Sequence, residues 1–292
     1  MAGGLTSSAI AAQPAWLRGL DVPARLPAGA RVVFTGCGTS FHAAMAAGPA
    51  VHALDAVHGD AAWAEVMVAV SHEGATALTL EAVQGFAGET WLITGAPESP
   101  LARVCDHVVV ATPEIEKSYC HTVSYTCAVT AGRALRGEET SGLADGVEAA
   151  LAAPALPVSA HERWLLVGAG RDLPTALEAT LKLREGAHVA AEAHQTEQLL
   201  HGHLAAIDDG VRCFVLEGEG RAAERAHDAV RALDELGCDV TLLQTSHPVV
   251  DIVQFQRLTV DLAAARGVDP DMIRWDEEPW DRARKATGFL DP

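Results

Sequence analysis

The sequence predicts an α/β fold with two domains, each built around a parallel β-sheet that helices cover. Short apolar runs each end in Gly, Ser or Thr, and Ala-rich helical stretches follow them. A pair of glycines also follows the first strand of each set, as Gly36-Cys-Gly38 and again as Gly168-Ala-Gly170. The chain therefore repeats one α/β plan.

The elements divide the chain into four segments. Residues 1–30 are predicted as a helical lead-in that Pro23 and Pro27 terminate. Residues 31–150 form the first domain, residues 151–266 the second, and residues 267–292 a charged tail. Trp275 and Trp280 predict that this tail packs over the site. The predicted strands span residues 32–35, 66–70, 91–94 and 108–111 in the first set and 164–167, 213–216 and 240–243 in the second.

Composition excludes several classes of function. The formal charge of -18 over 292 residues argues against nucleic acid and anionic membranes as partners, since both attract basic surfaces. No apolar run approaches a membrane span, and the first 17 residues contain no Lys or Arg, so we expect a cytoplasmic protein. The six cysteines include no C-x-x-C pair, which makes zinc ribbons and disulfide scaffolds poor interpretations.

One helical segment carries a polar stripe on an otherwise apolar pattern. Glu178, Lys182 and Glu185 stand at i, i+4 and i+7. We expect the helix to begin after Asp172 as N-cap, to face the core with a leucine stripe and to end at Gly186. The leucines of that stripe are Leu173, Leu177 and Leu181. An ordinary intrahelical Glu/Lys pair is the simpler interpretation of the pattern, and a catalytic group is the alternative.

Three loops that follow strands could hold a ligand, because ligands of open α/β sheets bind beyond the carboxyl ends of the strands. Residues 36–40 read G-C-G-T-S, residues 71–76 read S-H-E-G-A-T, and residues 116–126 are rich in hydrogen-bonding side chains. The first loop lacks the third glycine of a nucleotide fingerprint, since Phe41 stands there. Each could equally be an ordinary turn between a strand and a helix.

The histidines also suggest a metal site. His201-Gly-His203 and the pair His194 and Glu197 have chelate-like spacings, but no third ligand is spaced to complete a set. We therefore expect neither a metal nor a cofactor.

Taken together, five ordered motifs resemble the sugar isomerase (SIS) domain family, including the isomerase half of glucosamine-6-phosphate synthase and stand-alone phosphosugar isomerases and deglycases. They are G-C-G-T-S at 36–40, S-x-x-G-x-T at 71–76, E-x-S-x-x-x-T at 116–122, A-L-E-x-x-L-K-L-x-E at 176–185, and A-E-A followed by L-x-H-G up to residue 202. The resemblance implies two doubly wound, flavodoxin-like subdomains and a sugar or sugar phosphate as substrate.

The resemblance also implies roles for single residues. Glu185 corresponds to the base that moves a proton between C1 and C2 through an enediol-type intermediate, with Lys182 in the same site. His201 corresponds to the histidine that opens the sugar ring in the neighbouring subunit, which implies a homodimer with shared active sites. Lys285 is the nearest counterpart of the family's C-terminal lysine. The substrate- and phosphate-binding positions are Gly38, Thr39, Ser40, Ser71, His72, Glu73, Thr76, Ser118 and Thr122.

Two departures leave alternatives open. His72 stands where the family usually has Gln, and Glu73 replaces a phosphate-binding serine, so a carboxylate would repel a phosphate. We therefore expect a phosphosugar isomerase, either aldose–ketose or an aminosugar isomerase/deaminase. A sugar-amine deglycase and a non-catalytic sugar-phosphate-binding regulator remain the alternatives, and the pair Glu185 and His201 favours an enzyme.

Overall fold

A computed structural model describes residues 3–287 of the chain, which divide into two compact units. The first unit comprises Ser8–Glu148 and the chain from Met272 onwards, and the second comprises Ala149–Asp271 together with the chain up to Ser7. Among the described residues, no helix is long and apolar enough to cross a membrane.

The first unit is built on a four-stranded sheet in the order β1-β2-β3-β4, with every pairing parallel. Its strands are β1 (Val32–Thr35), β2 (Val66–Val70), β3 (Glu89–Thr94) and β4 (His107–Val110). Its helices are α1 (Gly4–Gly19), α2 (Thr39–Ala47), α3 (Ala53–Val57), α4 (Ala77–Gly85), α5 (Val123–Leu135) and α6 (Leu143–Ala152), of which α1 and α6 extend beyond the unit. Helices α2 and α5 pack together, and so do α3 and α4.

The second unit repeats this plan with strand order β6-β5-β7-β8, again entirely parallel. Its strands are β5 (Arg163–Gly168), β6 (Ala190–Gln195), β7 (Val211–Leu216) and β8 (Asp239–Leu243). Its helices are α7 (Leu173–Ala187), α8 (Thr196–His201), α9 (Arg221–Glu235) and α10 (Pro248–Arg266). Helix α7 packs on α10, and α8 packs on α9. The two parallel α/β sheets confirm the predicted fold class.

Seven strands lie where the apolar runs predict them, because strands of a parallel sheet covered by helices are rich in apolar residues. All five residues of β2 and all six of β7 are buried. The eighth strand, β6, was not predicted. It reads A-A-E-A-H-Q and lies at the sheet edge beside β5, with Ala191 as its one buried residue. It therefore lacks the β-branched apolar run that identifies the others.

The first residues after α10, up to Asp271, belong to the second unit. Asp271 accepts hydrogen bonds from the N–H of Leu5 (3.0 Å) and from the N–H and Oγ1 of Thr6 (2.8 and 2.7 Å), and Asp269 accepts one from Gly3 N–H (3.0 Å). The two carboxylates thus satisfy N–H groups at the N-terminus of α1, where negative charge is stabilising. From Met272 onwards the chain belongs to the first unit and includes α11 (Glu278–Lys285).

Candidate active site

The polar stripe of α7 forms a buried ionic cluster. Lys182 Nζ lies 2.7 Å from Glu185 Oε2 and 3.4 Å from Glu178 Oε1. The side chains of Glu178 and Lys182 are fully buried, whereas that of Glu185 is 25% exposed. The ion pair is intrahelical, as the simpler interpretation holds, but its burial distinguishes it from an ordinary surface pair, which is solvated and contributes little.

Burial makes the three charges depend on one another. An ammonium removed from water must be compensated by nearby carboxylates, because its desolvation costs several kcal/mol. The carboxylates of Glu178 and Glu185 both lie beside Lys182, and Glu185 is also partly exposed to solvent. The cluster therefore holds the Glu185 carboxyl group beside an ammonium and partly open to solvent, where a small molecule can meet it, as a group that transfers protons requires.

Two expectations about α7 are wrong in detail. The fully buried apolar face consists of Ala176, Ala179, Leu183 and Ala187, while the three leucines of the predicted core stripe are only half-buried. The predicted end at Gly186 falls one residue short, since the helix includes Ala187.

Asp172 occupies the N-cap position of α7, as predicted, and Pro174 lies in the first turn. The Asp172 side chain makes no capping hydrogen bond and instead accepts one from Thr245 Oγ1 at 3.1 Å. At the other end of α7, His188 terminates the helix in the left-handed conformation (φ 56°).

The first two predicted ligand loops follow neighbouring strands of the first unit, β1 and β2. Gly38, at φ 55°, turns the chain into α2, which begins at Thr39 with Ser40 next in its first turn. In the second loop, the buried Ser71 has its Oγ 3.2 Å from Thr76 Oγ1, at the start of α4. Hydroxyls at helix N-termini suit an anionic group.

The third loop is organised by the buried carboxylate of Glu116. Glu116 Oε1 accepts hydrogen bonds from the N–H (2.7 Å) and Oγ1 (2.9 Å) of Thr122. Its Oε2 accepts from the N–H (2.8 Å) and Oγ (2.6 Å) of Ser124. Four donors on one carboxylate fix the start of α5 and the chain before it, including Ser118, whose Oγ accepts from Cys120 N–H at 3.2 Å.

His72 ties the second loop to the third. Its Nε2 accepts a hydrogen bond from the Glu116 N–H at 2.8 Å, which requires the unprotonated form of that nitrogen. Burial lowers the pKa of His72, although the charges of Glu116 and Glu73 oppose this. His72 therefore acts as a neutral acceptor between loops. Its neighbour Glu73 is exposed, so the structure turns the unexpected carboxylate towards solvent.

The tail contacts the third loop through aromatic rings. Trp275 and Tyr119 lie 5.5 Å apart between ring centroids. Arg284 stacks over Trp275 at 4.2 Å and donates to the Ile273 and Arg274 carbonyls. Lys285, at the end of α11, is 63% exposed and pairs with Asp281 at 2.8 Å. The structure thus places Lys285 on an exposed helix, and residues 288–292 lie outside the described part of the chain.

His201 lies in the second unit at the end of α8, with its side chain 74% exposed. Its Nε2 is 2.9 Å from Glu197 Oε1. The other two histidines of the region pair with each other, because His194 and His203 stack at 4.0 Å between ring centroids. No group of three or more His, Cys, Asp or Glu side chains within residues 3–287 could hold a metal ion.

A cavity of about 620 Å³ opens in the second unit beside α8 and the start of α9. It is lined by Ala169, Gln195, Thr196, Glu197, Arg221, Ala222 and Arg225. The sequence did not predict that Glu197 and Arg225 line this cavity. The i, i+4 spacing of Glu197 and His201 was visible, but the contact with Arg225 joins residues 28 positions apart on separate helices.

The predicted site residues lie in different units of the chain. Glu185, Lys182 and His201 lie in the second unit. The predicted substrate-binding residues from Gly38 to Thr122 and also Lys285 lie in the first.

Comparison with known proteins identifies relatives of this chain. Glutamine–fructose-6-phosphate aminotransferase (isomerizing) of Methanothermobacter thermautotrophicus is 27% identical over 303 residues, covering 82% of this chain and 50% of the relative. The enzyme of the same name from Aeropyrum pernix is 28% identical over 335 residues, covering 92% and 53%. The chain thus spans about half the length of the curated relatives it matches.

Solved structures share the fold. The C-terminal domain of glucosamine-fructose-6-phosphate aminotransferase from Francisella tularensis superposes with a TM-score of 0.74 at 20% identity, covering 91% of this chain and 97% of that one. Glucosamine-6-phosphate deaminase from Thermotoga maritima gives 0.74 at 20% identity (92% and 97% covered). Tagatose-6-phosphate ketose/aldose isomerase from Escherichia coli gives 0.74 at 18% identity (92% and 95%).

A family model locates the relationship within the chain. Residues 158–270, which carry the ionic cluster of α7 and His201, match the model described as the SIS domain. The resemblance to the SIS family that the sequence predicted is therefore confirmed by the match of residues 158–270 to this model.

Proposed function

We propose that this protein is a phosphosugar isomerase, either an aldose–ketose isomerase or an aminosugar isomerase/deaminase. The observation that carries the proposal is the buried Lys182, which holds the partly exposed carboxylate of Glu185 inside a SIS domain. The curated relatives whose names include "isomerizing" support it.

In the proposed mechanism, Glu185 removes the proton from one of the two carbons C1 and C2 of the open-chain sugar and returns it to the other. The intermediate is an enediol, or an enolamine for an aminosugar. Lys182 stabilises the charged carboxylate and fixes its direction. His201 opens the sugar ring before this step, and Lys285 is the candidate for the family's C-terminal lysine.

We propose that the first unit binds the substrate. Ser40, Ser71 and Thr76 offer hydroxyls at the N-termini of α2 and α4, where an anion is stabilised. The other proposed contacts come from Gly38, Thr39, His72, Glu73, Ser118 and Thr122. Because His72 is engaged with Glu116 N–H, its own contribution is to hold two of these loops together.

The experiment that tests the function is deuterium exchange in D2O, followed by NMR at C1 and C2 of ketoses, aldoses and aminosugars with and without a 6-phosphate. Wild type should exchange at least one member of the panel. Glu185→Gln should abolish exchange, whereas Glu235→Gln, an exposed carboxylate at the end of α9, should leave it unchanged. Equal exchange by wild type and Glu185→Gln would contradict the proposal. A sugar that binds to the wild-type protein but does not exchange would favour the alternative of a non-catalytic sugar-phosphate-binding regulator.

One observation favours the deglycase as second candidate. Glu73 places an exposed carboxylate in a loop of hydroxyls, where it would attract a cationic amine and repel a phosphate. Glu73→Ser should then increase the affinity for 6-phosphorylated sugars and decrease that for aminosugars. Unchanged selectivity would remove Glu73 from substrate recognition.

We further propose that the protein works in the cytoplasm as a homodimer with shared active sites. The exposure of His201 in the isolated chain supports the second part, because a side chain that acts on a neighbouring subunit must project outwards. Sedimentation equilibrium tests it, with a dimer mass as the expected result and a monomer as the contradicting one.

A further inference from the structure

A series of alternating charges connects His201 to helix α9. Glu197 accepts from Arg225 Nε at 2.8 Å and from Arg225 Nη2 at 3.2 Å, so one guanidinium holds both carboxylate oxygens. Arg225 also pairs with Asp228, and Asp228 pairs in turn with Arg231. The two-point contact fixes the plane of the Glu197 carboxylate, which a single exposed ion pair would leave free to rotate.

The same carboxylate contacts only one nitrogen of His201. Its Oε1 lies 2.9 Å from His201 Nε2. Hydrogen bonding from Arg225 lowers the pKa of Glu197, so the group is a carboxylate at neutral pH and accepts rather than donates. In the neutral imidazole, the negative charge at this distance then favours the proton on Nε2, which leaves the lone pair on Nδ1.

We propose that Glu197 and Arg225 are positioning residues that hold His201 in the tautomer with Nδ1 as the basic nitrogen. This inference rests on the proposed function of His201 in ring opening. Nδ1 takes the proton of the anomeric hydroxyl as the bond between the anomeric carbon and the ring oxygen breaks. The anomeric C–O becomes the carbonyl, and Nδ1 returns the proton to the former ring oxygen, so that atoms and charge balance.

The tautomer can be tested without activity. Nitrogen-15 NMR at pH 8.5, where an ordinary imidazole is neutral, reports which ring nitrogen of His201 is protonated, with His201→Ala giving the assignment. Wild type should show protonated Nε2, and Glu197→Gln and Arg225→Met should show a mixture of tautomers. The matched control is Glu217→Gln, which removes the carboxylate beside another exposed histidine, His227, and should leave His201 unchanged.

A kinetic experiment separates ring opening from proton transfer. The probes are fructose 6-phosphate, which closes a furanose ring, and 5-deoxyfructose 6-phosphate, which lacks the hydroxyl that closes it. Glu197→Gln should slow deuterium exchange on the first at least about 10-fold, by analogy with the loss caused by a wrong histidine tautomer, and should leave exchange on the second near the wild-type rate.

The outcomes are distinguishable. Equal slowing on both probes, or no slowing on either, would overturn the positioning role. A mixture of His201 tautomers in wild type would overturn it as well, whatever the activity. Absence of exchange by wild type on both probes would overturn isomerase activity on this ketose phosphate and with it the ring-opening role.

Discussion

Replacing Lys182 with Met should destabilise the protein strongly. The change removes the ammonium that lies 3.4 Å from Glu178 and 2.7 Å from Glu185 while keeping the length of the side chain. Because the Glu178 side chain is fully buried, it would lose the charge that compensates its own desolvation. Removing one partner of such a buried pair costs about 3–5 kcal/mol of unfolding free energy.

A second change should restore much of this loss. In the double variant Glu178→Gln/Lys182→Met the buried carboxylate is also gone, so we expect more than half of the lost free energy to return. The control is Lys285→Met, because Lys285 forms an i, i+4 pair of the same kind with Asp281 but is 63% exposed. That variant should change stability by less than about 1 kcal/mol.

The assay is urea unfolding followed by circular dichroism at pH 7.5. A loss below about 1 kcal/mol for Lys182→Met, similar to that of Lys285→Met, would refute the reasoning. It would mean that water reaches the α7 cluster and that the cluster behaves as a surface pair. A double variant no more stable than Lys182→Met would refute the part assigned to Glu178.

The remaining predictions concern pH and the loops of the first unit. Burial raises the pKa of Asp251 from its ordinary value to about 6, so its contribution to stability is lost as pH rises through that value. Asp251→Asn should therefore increase the unfolding free energy by about 2 kcal/mol at pH 7.5 and by little at pH 4.5, measured by urea unfolding; an equal gain at both would contradict this. Glu116→Gln should lower stability by about 2–3 kcal/mol, because Thr122 and Ser124 would lose charge-assisted bonds, and an unchanged melting temperature would argue otherwise. Burial lowers the pKa of His72, so its contribution falls as pH drops below the unfolded value near 6.5. His72→Gln keeps an acceptor and should weaken that dependence between pH 7.5 and 5; an unaltered profile would remove His72 as its source.

Much of the architecture could be predicted because buried parallel strands leave a continuous apolar signature. That signature fails at β6, where Ala190–Gln195 pairs with β5 on one side only and carries polar residues on the sheet edge. β6 is a strand because its backbone pairs with that of Leu165 and its neighbours. The sequence of β6 alone does not predict this pairing.

The candidate site shows a similar division. The spacing of Glu178, Lys182 and Glu185 reveals that the three share one helix face, but periodicity cannot tell whether that face meets water or the protein interior. Packing of α7 against α10 and the sheet decides it. The two-point contact between Arg225 and Glu197 depends on how α8 and α9 pack, so the spacing of these residues along the chain does not predict it.

The most direct test of the central claim follows one hydrogen atom. The aldose that the exchange panel identifies is labelled with deuterium at C2, and NMR measures how much label the ketose retains at C1. If Glu185 is the single base and its proton exchanges with water, wild type should transfer part of the deuterium from C2 to C1. Glu185→Gln should then form no product. Complete retention of the label, as in a hydride shift, or product formation by Glu185→Gln would contradict the account.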